Sequence, residues 1–375
     1  MKSPKQAVEE ILGSADIKVN GQRPWDITVH NSDLFPLVLQ GGSLALGESY
    51  MAGWWDSEAL DQFFCRVLSN GLEGNVKGSK LKMLAPWIKS VLLNPQNPKR
   101  AWEVGKVHYD IGNDLYTKML GPSMAYSCGY WKDAKNLDQA QEAKLELICQ
   151  KLGLEPGMSL LDIGCGWGGL ARHAAEKHGA TVVGITISQE QAKLARDLCN
   201  GLPVEIKLQD YRDLRGQFDR IASVGMYEHV GPKNYRTFME VAERVLKPQG
   251  LFLLHTIGKN KRGGVDPWIE KYIFPNGQLP TPAQIVSPAE ELLVPQDFHN
   301  IGPDYDKTLM AWHKNFKNNW GEIRAQEPGR YNPVFKRRWD YYLLSCAGAF
   351  RAGSIHVSQT VFSKGNLGSR YNCAR

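Results

Sequence analysis

The sequence predicts an α/β protein of Rossmann-like architecture: a mainly parallel sheet with helices on both faces, plus a smaller, mainly helical N-terminal domain. Two observations predict this fold class. Short apolar segments alternate with helical segments from about residue 140 to residue 256, and a glycine-rich loop follows the first apolar segment. Strands that alternate with helices at this spacing form parallel sheets, because each crossover places a helix on a face of the sheet.

The expected elements follow one another regularly. Predicted strands are residues 159–163, 181–187, 204–208, 218–224 and 250–256. Predicted helices are residues 140–152, 170–178 and 189–199, with a further helix that ends at Leu246. Nearer the N-terminus, residues 60–68 and 79–93 have apolar residues at helical spacing, and Pro86 interrupts the second segment.

The chain has 375 residues, a length that favours two domains. The breaker cluster Asn94-Pro-Gln-Asn-Pro98 predicts a linker over residues 94–100, between an N-terminal domain (1–93) and a second domain (101–375). In the N-terminal domain, the Trp54-Trp55 pair either inserts at a lipid interface or anchors the core, and the core is favoured.

Composition excludes several classes of protein. No run approaches the roughly 20 apolar residues that span a bilayer, and the N-terminus does not resemble a signal peptide, so a cytoplasmic protein is expected. The net charge of +6 is too small to indicate nucleic-acid binding, although it suits weak attraction to an anionic lipid surface. None of the seven cysteines forms a C-x-x-C pair, so neither a disulfide framework nor a metal site is expected.

The strongest local motif is the loop Asp162-Ile-Gly-Cys-Gly-Trp-Gly-Gly169. Its glycines at positions 164, 166 and 169 match G-x-G-x-x-G between a strand and a helix, with Gly168 inside the motif. Glycines allow the backbone to approach a ligand closely, and Asp162 can orient the loop. A dinucleotide and S-adenosylmethionine are the two candidate ligands.

The second strand distinguishes these ligands. A dinucleotide enzyme usually has an acid about 20 residues after the loop, whereas this strand ends Gly184-Ile-Thr-Ile-Ser188. An acid, Asp210, follows the third strand, a position where methyltransferases commonly contact the adenine. The sequence therefore favours S-adenosylmethionine and the class I methyltransferase form of the fold, with Thr186 and Gln191 as substitutes for the missing acid.

Several motifs in a fixed order strongly resemble the bacterial cyclopropane-fatty-acyl-phospholipid synthases. Over the C-terminal part they also resemble the mycobacterial mycolic acid cyclopropane synthases. The motifs include His108-Tyr-Asp-Ile-Gly-Asn-Asp114, Tyr126-Ser-Cys-Gly-Tyr-Trp131, Gly225-Met-Tyr-Glu-His-Val-Gly231, His255-Thr-Ile-Gly258 and Cys346-Ala-Gly-Ala-Phe350. In the N-terminal domain, Gly47-Glu-Ser-Tyr-Met-Ala-Gly-Trp-Trp55 extends the likeness to the phospholipid enzymes.

The resemblance implies a reaction. A methyl group passes from S-adenosylmethionine to a cis double bond of a phospholipid acyl chain, a proton is lost to bound bicarbonate, and a cyclopropane ring closes. The residues that would hold bicarbonate are Cys128 and Ile257 through their backbone, and Glu228, His255 and Tyr305 through their side chains. The residues expected to contact S-adenosylmethionine are Tyr126, Ser127, Asp162, Gly164, Gly166, Gly168, Thr186, Ser188, Gln191, Gln209, Asp210 and Tyr211.

Each of these residues also has a structural interpretation. His255 ends an apolar strand, where a histidine is often a core residue, and Cys128 could be a small buried apolar group. Glu228 could interact with a helix dipole. Cys346 is expected to line the site or to support it, because the proposed reaction has no covalent enzyme intermediate.

A water-insoluble substrate implies peripheral contact with the inner face of the cell membrane. The N-terminal domain is expected to dock lipid, and the candidate basic contacts are residues 79–89, 99–100, 259–262 and 336–338. The family also suggests a homodimer. Three alternatives remain: a small-molecule methyltransferase of the same fold, a lipid-binding protein without catalysis, and a nicotinamide oxidoreductase.

Overall fold

A computed structural model describes residues 2–72 and 112–375, which form two compact units. The first unit contains residues 2–72 together with Lys261–Pro275 and Tyr305–Ile355. The second contains residues 112–260, Asn276–Asp304 and His356–Arg375. The predicted helix at 79–93 and the linker at 94–100 lie outside the described residues, and the functional division at this linker stays a prediction.

The helices and strands are numbered here in chain order. They are α1 (Pro4–Gly13), β1 (Thr28–Val29), α2 (Leu34–Met51), β2 (Trp55–Asp56), α3 (Leu60–Ser69), α4 (Asn113–Leu120), α5 (Leu137–Lys151), β3 (Ser159–Ile163), α6 (Gly169–His178), β4 (Thr181–Thr186), α7 (Gln189–Leu198), β5 (Val204–Leu208), β6 (Phe218–Val224), α8 (Tyr235–Val245), β7 (Leu246–Gly258), α9 (Pro267–Tyr272), α10 (Pro282–Val286), β8 (Val294–Asn300), α11 (Gly302–Gln326), α12 (Pro333–Arg351) and β9 (His356–Ser363).

A seven-stranded sheet organises the second unit, in the order β5-β4-β3-β6-β7-β9-β8. Strands β3 to β7 run parallel to one another, and β9 runs antiparallel to both β7 and β8. The mainly parallel sheet is as predicted. Three predicted strands have the observed bounds, whereas β7 begins four residues earlier than expected and β8 and β9 were not predicted.

Adjacent residues of β3 show why helices cover both faces of the sheet. Leu160 packs in a cluster with Ile148 of α5 and Ala171 of α6. Leu161 belongs to another cluster, with Phe238 of α8. Successive side chains of a strand point to opposite faces, so an almost uninterrupted apolar strand needs cover on both sides.

The glycine loop connects β3 to α6 in backbone conformations that favour glycine. The φ angles of Gly164, Gly166 and Gly168 are +83°, +54° and +82°. A β-carbon on Gly164 would lie 2.9 Å from the side chain of Met226, and one on Gly168 would lie 3.0 Å from Cys199 Sγ. At Gly166, no described atom lies within 4 Å of such a carbon. The loop therefore packs tightly at two glycines and is open at the third.

In the first unit, α12 packs directly on α3. A β-carbon on Gly348 would lie only 2.6 Å from the carbonyl oxygen of Asp61, so the close approach requires glycine. Phe64 packs edge-on against Tyr341, with ring centroids 5.1 Å apart. Trp55 is completely buried, as expected of a core anchor. The N-terminal segment and the late segment therefore share one core.

The basic residues at 336–338 are held within the first unit. Lys336 Nζ lies 2.8 Å from Asp340, and an Arg337 guanidinium nitrogen lies 2.7 Å from Asp56. The Arg338 guanidinium lies over the ring of Phe335 at 4.7 Å. The prediction that this cluster is a membrane contact is weakened, since these residues serve internal packing. Residues 79–89 and 99–100, also predicted contacts, lie outside the described residues.

Within the described ranges, none of the helices combines the length and the apolar character that crossing a bilayer requires.

Alanine substitutions should separate backbone strain from steric clash in the glycine loop. Gly166→Ala should cost about 1–2 kcal/mol, because it only places a side chain in the left-handed region. Gly164→Ala should cost a further 1–3 kcal/mol or so, because its β-carbon also meets Met226. Urea denaturation measures both changes. Equal losses of stability in the two variants would contradict the packing described for Gly164.

Candidate active site

The carboxyl ends of the parallel strands meet at one edge of the sheet, where ligands of such folds bind. The sequence-predicted residues Asp162, Thr186, Asp210 and His255 lie in or directly after β3, β4, β5 and β7. They therefore line one edge of the second unit. Some of these side chains are hydrogen-bonded to other protein groups, whereas others keep a buried polar atom without a partner among the described residues.

At the end of β4, three predicted cofactor residues contact one another. Thr186 Oγ1 donates to Gln191 Oε1 at 2.8 Å. Ser188 caps α7, since its Oγ accepts from the Gln191 N–H at 3.2 Å. All three residues are buried. These hydrogen bonds fix the start of α7 and the orientation of the Gln191 amide. The amide lies near the strand end where dinucleotide enzymes usually have an acid.

After β5, Asp210 begins a short 3₁₀ turn. Its carboxylate accepts from the Arg212 N–H at 2.9 Å and pairs with the Arg212 guanidinium at 3.1 Å. Tyr211 is buried and packs edge-on against Phe238, with ring centroids 5.3 Å apart. Gln209 is half-buried and pairs through its backbone with Thr186. Asp210 is therefore held at the sheet edge, whereas the Tyr211 ring fills the core.

Lys144, which the sequence analysis missed, is a buried cation at this edge. Its Nζ donates to Ser127 Oγ at 3.0 Å. Burial lowers the pKa of Lys144 to about 8, while the nearby Cys128 and Asp162 raise it. Burial raises the pKa of Asp162 to about 7, and Lys144 acts in the opposite direction. The two groups are a desolvated pair of opposite charge, separated too far for a direct hydrogen bond in the structure.

A sequence signal for Lys144 exists. Gln141, Lys144, Leu145 and Ile148 lie at helical spacing on the buried face of α5. Gln141 Nε2 donates to the Ser127 carbonyl at 2.9 Å. Polar residues on the apolar face of a helix are rarely buried without a partner, so this pattern indicates a polar site beneath the helix.

Glu228 lies in the 3₁₀ turn Tyr227–His229 and clamps the end of β7. Its Oε1 accepts from the Ile257 N–H at 2.7 Å. Its Oε2 is buried, and no described residue hydrogen-bonds to it. Burial raises the pKa of Glu228 to about 7, although the Ile257 N–H favours the ionised form. The Ile257 N–H, predicted as a bicarbonate donor, is used by Glu228 in this structure.

His255 is buried two residues before Ile257 on the same strand, and its side chain is a neutral donor. Burial lowers the pKa of His255 to about 3, and the positive charges of Lys144 and Lys151 act in the same direction. Gln359 Nε2 lies 3.4 Å from Nδ1. When the Gln359 amide donates to Nδ1, the neutral imidazole carries its proton on Nε2. Nε2 has no hydrogen-bond partner among residues 2–72 and 112–375.

The segment that contains Tyr126, Ser127 and Cys128 lies between α4 and α5. Tyr126 is half-buried and packs edge-on against Tyr116, with ring centroids 5.2 Å apart. Cys128 is fully buried, and its Sγ lies 3.2 Å from the Gly129 carbonyl and 3.8 Å from that of Ile301. The Cys128 side chain therefore packs as a small core residue, and its predicted role in the site concerns only its backbone.

Tyr305 and Cys346 belong to the first unit. Tyr305 is buried and stacks on Phe350, with ring centroids 4.5 Å apart. Burial raises the pKa of Cys346 to about 12, and the nearby Asp266 raises it further. A raised pKa favours the protonated thiol, which suits a lining or structural role better than a nucleophilic one.

Comparisons with known proteins identify the family. The family model described as mycolic acid cyclopropane synthetase matches residues 96–360. The chain is 57% identical to the cyclopropane-fatty-acyl-phospholipid synthase of Escherichia coli, over 95% of this chain and 92% of the relative.

Solved structures agree with this family. The cyclopropane synthase MmaA2 from Mycobacterium tuberculosis has a TM-score of 0.66 and 31% identity, covering 70% of this chain and 98% of that one. The mycolic acid cyclopropane synthase CmaA1 complexed with SAH and CTAB has a TM-score of 0.64 and 33% identity, with the same coverage. The chain therefore belongs to the mycolic acid cyclopropane synthetase family and has the class I S-adenosylmethionine-dependent methyltransferase fold, which confirms the resemblance to the bacterial cyclopropane-fatty-acyl-phospholipid synthases.

Proposed function

We propose that this enzyme transfers a methyl group from S-adenosylmethionine to the cis double bond of unsaturated phospholipid acyl chains and forms a cyclopropane ring. One observation carries the proposal. The buried Glu228 Oε2 and the buried His255 Nε2, both near the end of β7, have no hydrogen-bond partner among the described residues. Family membership and the activity named for the Escherichia coli relative support the same reaction.

The chemistry requires a dry site. An alkene is a weak nucleophile, and methyl transfer to it leaves a carbocation that water would trap. The buried positions of Glu228, His255, Ser127 and Asp162 indicate low water access at this edge of the second unit. Preorganised polar groups have their largest electrostatic effect in such surroundings. Deprotonation of the cation then requires a base within hydrogen-bond reach.

The residues fit a bound bicarbonate ion, which would supply that base. The N–H of a neutral His255 is a donor to an anion, and Glu228 Oε2, when ionised, accepts a hydrogen bond from a hydroxyl group. The two groups are thus complementary to an ion that carries both negative oxygens and one O–H. Cys128 through its backbone and Tyr305 through its hydroxyl complete the proposed set, whereas the Ile257 N–H contributes by holding Glu228. Glu228 and His255 orient the ion, and the surrounding burial excludes water.

S-adenosylmethionine is proposed to lie close to the backbone of Gly164, Gly166 and Gly168. Its polar contacts are proposed to be with Asp162, Gln191 and Asp210. The space beside Gly166 supports this proposal, because no described residue fills the place of a side chain there. Asp162 Oδ2 is buried without a hydrogen-bond partner in the described ranges. Ser127, held by Lys144 and Gln141, is proposed at the carboxylate end of the cofactor together with Tyr126.

The substrate implies work at a membrane surface. Peripheral contact with the inner face of the cell membrane is proposed, with the exposed Lys261 and Arg262 as the remaining described candidates for contact with anionic headgroups. A homodimer is proposed from the family likeness. Light scattering of the purified chain tests the homodimer, and co-sedimentation with anionic and neutral vesicles tests the surface contact.

The reaction itself is tested with the purified full-length chain, S-adenosylmethionine and vesicles of a monounsaturated phospholipid. Mass spectrometry should show a gain of one CH₂ per unsaturated acyl chain, and the product should resist hydrogenation as a ring does. Glu228→Gln should bind S-adenosylmethionine normally and yield little product. Cofactor binding without any change in lipid mass in the unmodified enzyme would contradict the proposal.

Glu228→Gln should also change stability in a pH-dependent way. Burial raises the Glu228 pKa from 4.5 to about 7, so the folded state of the unmodified enzyme loses stability as pH rises through this window. Glutamine keeps the acceptor for the Ile257 N–H and carries no charge. The variant should therefore match the unmodified enzyme at about pH 4.5 and exceed its unfolding free energy by about 3 kcal/mol at about pH 8. Urea denaturation at both pH values checks this, and a constant difference would contradict the buried carboxylate.

Lys144→Met should weaken S-adenosylmethionine binding by about 1.5–3 kcal/mol, because Ser127 loses a charged hydrogen-bond donor. Methionine has a similar shape and removes a buried charge, so the fold should persist. Calorimetric titration measures the affinity. Lys177→Met, at an exposed position on α6, is the control and should bind normally. Equal affinities of the two variants would remove Lys144 from the cofactor site.

A further inference from the structure

A cluster of four potential metal ligands lies where α5 packs against α6 in the second unit. Glu146 and Cys149 are three residues apart on one face of α5. His173 and His178 lie on α6, the latter in its last turn. The mechanism proposed above uses none of the four. Their arrangement therefore calls for a separate explanation.

The ligand atoms converge. The Nε2 atoms of His173 and His178 lie 3.2 Å and 3.0 Å from the same oxygen, Glu146 Oε2. Cys149 Sγ and one nitrogen of each ring lie within 4.8 Å of one another. In tetrahedral zinc sites, bonds of about 2.0–2.3 Å place neighbouring ligand atoms about 3.4–3.6 Å apart. The histidine–carboxylate distances are slightly shorter than that spacing, and the bound of 4.8 Å on the histidine and cysteine atoms leaves adjustments of about 1 Å at most for all of them to reach one ion.

We propose that Glu146, Cys149, His173 and His178 form a zinc-binding site. One thiolate and one carboxylate neutralise the charge of a divalent ion, and two neutral imidazoles complete a tetrahedral set. Sulfur and nitrogen ligands select ions of the zinc class over Mg²⁺ or Ca²⁺, which prefer oxygen. Cys149 is fully buried, whereas the Glu146 side chain is 37% exposed, so the cluster is open to solvent on the carboxylate side.

The spacing explains why the sequence predicted no metal site. The ligands follow the pattern E-x₂-C, then H-x₄-H, and only the histidine pair has the separation of a common zinc motif. The prediction relied on the absence of C-x-x-C pairs. The other two ligands, Glu146 and Cys149, reach the histidines only because α5 packs against α6. A search for paired cysteines does not detect such a site.

The position indicates a structural role. The glycine loop begins α6 at Gly169, and His178 lies about 14 Å further along the helix axis. An ion at the cluster would join the far end of α6 to α5 without touching the cofactor residues. It would thereby stabilise the helix whose first turn carries the loop.

The competing interpretation is an ordinary ion pair, in which Glu146 accepts hydrogen bonds from two histidines and Cys149 is a core residue. The two interpretations differ at the sulfur atom. Only a metal site gives Cys149 a thiolate bond to the ion, so sulfur ligation is the decisive observation.

Cobalt(II) is the probe, because a thiolate bound to it gives a charge-transfer band in the near ultraviolet and tetrahedral geometry gives intense visible bands. The full-length chain, first treated with a chelator, is titrated with Co²⁺ and then with Zn²⁺. We expect one Co²⁺ per chain with the charge-transfer band, displacement by Zn²⁺, and a Tm that rises with Zn²⁺ concentration.

Cys149→Ser should abolish the charge-transfer band, and His178→Gln, at a partly exposed position, should weaken Zn²⁺ binding at least tenfold without unfolding the chain. The controls are Cys65→Ser and His313→Gln, the latter from another histidine–carboxylate pair, and both should bind as the unmodified chain does. Absence of the band, or binding unchanged in Cys149→Ser and His178→Gln, would overturn the proposal. None of these readouts depends on lipid methylation, so the zinc site and the proposed function succeed or fail separately.

Discussion

The desolvation of polar groups at the carboxyl edge of the sheet is the constraint on which the candidate site depends. Glu228, His255 and Asp162 each keep a buried polar atom without a partner in the described ranges, and Lys144 is a buried cation. Such groups destabilise a folded chain unless a ligand satisfies them. The sheet supplies the rigidity that holds them in place: β3 and β7 are packed on both faces, so the strand ends cannot relax toward solvent. These unpartnered groups therefore lower the stability of the free chain, and the rigid sheet keeps them in place for a ligand that can satisfy them.

The parallel part of the fold could be predicted because its information is local. β3 is a short, mostly apolar run, β5 alternates apolar and charged residues, and β6 ends in an apolar run, while the Gly164–Gly169 loop has a spacing typical of a strand–loop–helix. The strands β8 and β9 could not be predicted in the same way. Residues such as Gln296 and Gln359 give them a mixed pattern, and their place in the sheet is set by pairing with each other and with β7.

Family motifs allow candidate site residues to be named from the sequence, whereas residues brought to this edge by contacts between elements could not be named in this way. Lys144 enters the site only because α5 covers the Ser127 segment, and Cys149 meets His173 and His178 only through helix packing. Conversely, Tyr211 matched a motif position, yet its ring fills the core against Phe238. Residue identity thus predicted which strand ends carry polar candidates, whereas the direction of each side chain required the packed structure.

The assembly of the first unit from three chain segments has a consequence for biosynthesis. Tyr50, Trp55 and Phe64 leave the ribosome long before Tyr341 and Gly348, which complete their core. At ordinary translation rates, the interval is on the order of tens of seconds. During that time the aromatic rings of the nascent N-terminal segment have only one another as cover, so the segment exposes apolar surface until the late helix is synthesised.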